Sequence, residues 1–189
     1  MQPLGYLQAL SVSLLLVIIP AIGTAAKADP TSTATTKETG LYSIGARFGT
    51  SFRGEDTDQA DIFVARKLPW GRDLSSGWNL GTAGELDLSI LQHDDEEVVA
   101  GSISTDLILS SPGHRFFLLT GVGAGVLEDE ILGDIDFGGP VFFLFHAGAG
   151  LRLTPWLSLG YRYSHMSNGS IYDKNPSLNL NMVELRFTF

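Results

Sequence analysis

Near the end of the chain, the run Tyr161-Arg162-Tyr163-Ser164-His165-Met166-Ser167-Asn168 sets a histidine and a serine two residues apart. On an extended strand two such residues share a face, with Cα atoms about 7 Å apart. An imidazole bridges that gap to a hydroxyl and acts as its general base, which makes the serine a nucleophile toward an ester. Tyr161, Tyr163, His165 and Ser167 have the same parity as Leu157 and Leu159, the apolar side of the segment. Polar groups left without partners on a lipid-facing side cost several kcal/mol each. The plain alternative is a membrane headgroup zone, where Tyr, His and Ser are ordinary. The other candidates read as structure. Glu85, Asp87 and several arginines alternate with apolar neighbours as inward ion pairs do. His146 shares that inward parity and His114 falls in a turn. The block His93-Asp94-Asp95-Glu96-Glu97 reads as a solvated charge run, with a divalent-cation site shared with the acidic stretch 128–136 as its alternative.

The elements that must hold this segment are strands. From Leu41 onward the apolar period is two, as in Trp78, Leu80, Thr82, Leu86, Leu88 and Ile90, or Val183, Leu185, Phe187 and Phe189. Eight strands are expected, at about 41–52, 60–68, 77–92, 98–110, 115–127, 140–153, 156–167 and 177–189. In 60–68 the alternation is broken, with Phe63 and Ala65 on the polar parity. The connectors alternate between longer polar loops (53–59, 93–97, 128–139, 168–176) and turns (69–76, 111–114, 154–155). Longer loops at one end and short turns at the other mark an all-β, eight-stranded antiparallel transmembrane barrel. Turning the greasier face outward puts Arg47, Glu85, Asp87, Asp106, Arg152, Arg162, Glu184 and Arg186 inside, four cations and four anions that can pair in a lumen too narrow for a channel. The terminal Phe189 is similar to the aromatic C-terminal signal that the barrel assembly machinery of outer membranes recognises.

Composition narrows the classes further. The chain has 189 residues, net charge −9 and no cysteine, which excludes disulfides, thiolate metal sites and a cysteine nucleophile. The acidic balance gives no basic patch for nucleic acid. Residues 1–28 have the layout of a secretory signal peptide, with an apolar run from Ala9 to Ile22 and a cleavage site at Ala26-Lys27-Ala28. Residues 29–40 are a threonine-rich lead-in, and 41–189 form the barrel, expected in the bacterial outer membrane.

His165-x-Ser167-Asn168, a short loop, Asn175-Pro176 and a last strand ending at Phe189 resemble the lipid A 3-O-deacylase family. Lys67-Leu68-Pro69-Trp70 and the Trp78…Glu85-Leu86 strand are similar to that family as well. The resemblance implies an outer-membrane barrel that removes the ester-linked 3-hydroxyacyl chain at position 3 of lipid A. It implies Ser167 as nucleophile, His165 as base and Asn168 in the oxyanion hole, with no cofactor and no metal. Its partners would be lipid A of lipopolysaccharide and the surrounding outer-membrane lipids, and it leaves pairing into a homodimer open. The family's third member is a Glu fourteen residues after the His, where this chain has Asn179. Asn179 shares the lipid-facing parity of the last strand and lies just past the loop, whereas Glu184 has the inward parity; Asn179 is therefore the expected orienting residue. The competing reading is a structural or adhesive small barrel, including a family member that has lost its activity.

Overall fold

The computed structural model describes residues 40–51 and 56–189. The expected signal peptide and, apart from Gly40, the expected lead-in lie outside the described residues. The described chain forms β1 (Tyr42–Ser51), β2 (Thr57–Asp73), β3 (Asn79–His93), β4 (Glu96–Ser110), β5 (Phe116–Leu127), the short β6 (Ile131–Leu132) and β7 (Ile135–Asp136), then β8 (Val141–Arg152), β9 (Leu157–Ser167) and β10 (Leu178–Thr188). Eight of these close an antiparallel barrel in the order β1-β10-β9-β8-β5-β4-β3-β2. Among the described residues no helix is long and apolar enough to cross a membrane; the strands provide the crossing.

Alternation sets the two faces. Ile44, Phe48, Ile62, Val64, Leu86, Leu88, Val122 and Val183 are exposed on the outer wall, the apolar band of a membrane barrel. At the end of the barrel carrying the short turns, Tyr42 stacks on Phe189 and Trp156 on Phe187, as in an interfacial aromatic girdle.

Inside, Glu85 accepts from Arg47 at 2.7 Å, Arg162 at 2.8 Å and Arg186 at 2.8 Å. Glu184 lies 3.0 Å from Arg162 and accepts from Arg186 at 2.8 Å. Asp61 and Asp87 pair with Arg47, and His146 meets Asp106 at 2.7 Å. The expected balance of four cations and four anions changes in two places. Arg152 sits at the turn-side mouth, donating to the carbonyl of His114, and Asp61 joins the central network instead.

The parity break in β2 has a physical cause. Phe63 is an inward residue, 3% exposed, with the guanidinium carbons of Arg47 and Arg186 at 4.4 Å and 4.7 Å from its ring centre. An aromatic face between two arginines is at home in a charged lumen. Room for the ring comes from Gly45 across the strand pair, where a Cβ would collide with it.

Two segments expected to be turn or loop belong to strands. β2 runs through Pro69 to Asp73, with a register shift between Lys67 and Gly71. A bulge leaves a residue without a ladder bond, so it accommodates a proline. The expected loop 93–97 shrinks to a two-residue turn at Asp94-Asp95, with Asp94 at φ +53.

The stretch 128–139 departs furthest from a polar loop. Its β6–β7 hairpin turns Leu132, Ile135 and Phe137 into the loop-side mouth, where they are buried with Leu91, Phe142, Met166, Leu178, Leu180 and Met182. The barrel thus has an apolar plug above a charged midsection. His93 is not part of a solvated charge run. It is 7% exposed, its Nε2 lies 2.9 Å from Asp134 and its Nδ1 3.3 Å from the Thr57 hydroxyl, tying the hairpin to β3. Among the described residues no three His, Asp or Glu side chains group as a metal site.

Candidate active site

β9 runs from the short turn at 153–156 toward the plugged mouth, and its outward residues there are Tyr161, Tyr163, His165 and Ser167. Its neighbours in the ladder fix what lies beside each. His165 stands between Phe145 of β8 and Asn179 of β10, and Ser167 stands beside Phe143. Phe143 and Phe145 are exposed on the wall, so one flank of the pair is an aromatic, lipid-facing surface. His165 and Ser167 are both half-buried.

Asn179 Oδ1 accepts from His165 Nδ1 at 2.8 Å. It also accepts from the Tyr163 hydroxyl at 2.7 Å. A hydrogen bond from Nδ1–H leaves Nε2 without a proton, the form that can take one from a serine hydroxyl. Glu184 is 2% exposed inside the barrel, held by Arg186, Arg162 and Arg47, and belongs to the lumen network rather than to His165. One step further along, the Tyr161 hydroxyl donates to Asn181 Oδ1.

Asn168 is placed differently from the other three. It is 3% exposed, and its Nδ2 donates to the carbonyls of Phe137 at 2.8 Å and Lys174 at 2.5 Å. Its Oδ1 accepts from Ser170 N–H at 2.8 Å, and its own N–H donates to Asn175 Oδ1 at 3.0 Å. Asn168 therefore builds the turn after Ser167 and fastens it to the plug hairpin. Lys174 and Asp136 form a second tie between the same two segments. That turn takes Gly169 and Ser170 at φ +63 and +64.

The fold and this stripe together define a small transmembrane barrel whose histidine and serine lie on the outer wall, not in the lumen. A family model described as lipid A 3-O-deacylase (PagL) matches residues 58–188, and the chain belongs to that family. It is 39% identical over 77 residues to lipid A deacylase PagL of Bordetella bronchiseptica, a stretch covering 41% of this chain and 42% of that protein. The crystal structure of the outer membrane enzyme PagL superposes with a TM-score of 0.71 at 18% identity, covering 78% of this chain and 99% of the other. A designed transmembrane β-barrel superposes at TM-score 0.52 and 12% identity, covering 79% of this chain and 96% of the design. At those identities the solved structures speak for the fold.

Sequence reasoning placed Tyr161 and Tyr163 on the right face but gave them no role. Each hydroxyl reaches diagonally to the asparagine beyond its direct partner, since Tyr163 pairs with Asn181 and Tyr161 with Val183. Only the register between β9 and β10 reveals that reach.

Proposed function

We propose that this protein is an esterase of the bacterial outer membrane that removes the 3-O-linked 3-hydroxyacyl chain of lipid A. The observation that carries the reading is the Tyr163–Asn179–His165 hydrogen-bond chain next to Ser167 on the lipid-facing wall. A hydrogen-bonded chain ending on His165 goes beyond the separate Tyr, His and Ser side chains of a headgroup zone, and family membership supports the substrate class.

In this mechanism Ser167 Oγ attacks the ester carbonyl carbon while its proton passes to His165 Nε2. The tetrahedral intermediate collapses by breaking the bond to the sugar O3, which takes the proton back from His165. Water then attacks the acyl-serine, losing a proton to His165, and the bond to Ser167 Oγ breaks as Oγ takes that proton back, releasing the 3-hydroxy fatty acid. Asn179 orients the ring and accepts from it as the imidazolium forms. Asn168 serves the oxyanion site through the turn it builds, since its Nδ2 already donates to two loop carbonyls. The acyl chain would lie along Phe143 and Phe145, reaching the site by lateral diffusion in the outer leaflet.

Mass spectrometry of lipid A from cells with and without the protein tests the reading. Loss of one 3-hydroxyacyl chain is the expected result. An unchanged spectrum on lipid A that carries this ester would favour a structural barrel.

A further inference from the structure

Resting on the Ser167–His165 assignment, we propose that Tyr163 is a positioning residue. Its hydroxyl fixes the orientation of the Asn179 amide and thereby selects the His165 tautomer that can act as a base. The need for such a residue follows from the chemistry of the third position. A carboxylate offers an oxygen whichever way it is turned. An amide offers oxygen on one side and NH2 on the other, and the two orientations interchange about χ2. Were the NH2 to face His165, it would donate to Nδ1, and the ring proton would sit on Nε2. That nitrogen would then present a donor to Ser167 and accept nothing from it.

The structure holds the amide in the productive orientation. Tyr163 and His165 converge on the same Asn179 Oδ1, at 2.7 and 2.8 Å. Turning the amide over would remove the acceptor of the phenol proton and cost a half-buried hydroxyl its hydrogen bond. A phenol gives up its proton to a hydrogen bond more readily than it accepts one, so accepting from the NH2 does not compensate. The neighbouring pair repeats the geometry: Asn181, the direct partner of Tyr163 in the ladder, accepts instead from the Tyr161 hydroxyl, so both tyrosines make the same diagonal reach. This chain carries, in place of one carboxylate, an amide with a hydroxyl that sets its direction.

The test reads the tautomer itself. Barrels labelled with 15N-histidine are placed in lipid nanodiscs at a pH where the ring is neutral, and the His165 signals are assigned by their loss in His165→Ala. Wild type is expected to show a protonated Nδ1 and an unprotonated Nε2. Tyr163→Phe should shift His165 toward a mixture of tautomers, whereas Asn179→Glu and the Tyr163→Phe/Asn179→Glu double variant should both keep Nδ1–H. In turnover on lipid A in mixed micelles, Tyr163→Phe should lower kcat about tenfold with KM within about twofold. That cost should vanish in the Asn179→Glu background. An unchanged tautomer in Tyr163→Phe overturns the proposal, and so does an equal loss of rate in both backgrounds, which would mark a packing role. The tautomer is measured without turnover. A barrel that proves inert toward lipid A would overturn the esterase assignment, while the NMR result still decides the role of Tyr163.

Discussion

Polar side chains occupy two regions of this barrel under opposite rules. In the lumen, Arg47, Arg162 and Arg186 converge on Glu85 and Glu184, each charge within reach of several opposite ones. On the outer wall, the stripe from Tyr161 to Ser167 with Asn179 and Asn181 carries no formally charged group other than the histidine when protonated. The lumen tolerates full charges because the barrel wall holds their partners around them. The wall has lipid on one side, where an unpaired charge is costly, so neutral donors and acceptors take over. Glu184 has the better chemistry for a catalytic triad and the wrong side of the sheet. Strand parity, not residue type, decides which residue hydrogen-bonds His165.

The contrast is broken most directly at Ser167. Ser167→Ala is expected to lower deacylation by at least about a thousandfold while the barrel keeps its wild-type heat-modified mobility on gels; activity within threefold of wild type would remove Ser167 from the mechanism. The mirror experiment is Glu85→Ala. Removing the shared acceptor of three arginines strands buried charge, at about 3–5 kcal/mol, read as a lower denaturant midpoint. Activity per folded molecule should stay within about threefold, and a dead but equally stable barrel would mean the lumen takes part in catalysis.

A smaller effect sharpens the wall side. Asn179→Ala should cut the rate about ten- to a hundredfold, and Asn179→Glu should retain or raise it. A Glu variant as slow as the Ala variant would show that position 179 does not orient the base.

The smallest effect concerns pH and the loops. The hydrogen bond from Lys174, followed by that from Gly138 N–H, holds the Asp136 carboxyl below its ordinary value of 3.8. A depressed folded-state value means that this contribution to loop docking is complete above 3.8 and is lost as the pH falls through the lower, folded value. Protection factors for amide exchange in residues 170–175, taken relative to the intrinsic rate at each pH, should therefore fall on acidification below that range, and Asp136→Asn should abolish that fall. Protection that falls equally in Asp136→Asn would assign the tie elsewhere.

The strand count, the two faces and the position of Asn179 beside His165 were legible because a period of two is a strong local signal and parity carries across a turn of known ends. The break at Phe63 and Ala65 was visible as apolar residues on the polar parity, but not its reason, because only the arginines packed on Phe63 explain an aromatic ring inside the lumen. The β6–β7 hairpin was hidden for the opposite reason. Its acids, Asp129, Glu130, Asp134 and Asp136, dominate the stretch, while Leu132, Ile135 and Phe137 are too widely spaced to read as a strand. The turn-building role of Asn168 depends on carbonyls 31 and 6 residues away, which no local pattern encodes.

Leu132, Ile135 and Phe137 close one mouth, the ion-paired arginines fill the middle, and a void beside Arg47, His146 and Arg162 measures only about 30 Å³, space on the order of a water or two. Among the described residues a larger space opens at the turn-side end, where a cavity of about 340 Å³ lies beside Arg152, and little of it reaches the charged midsection. The site proposed on the wall takes its substrate from the membrane, so ion pairs can fill the midsection without closing any route that site would use.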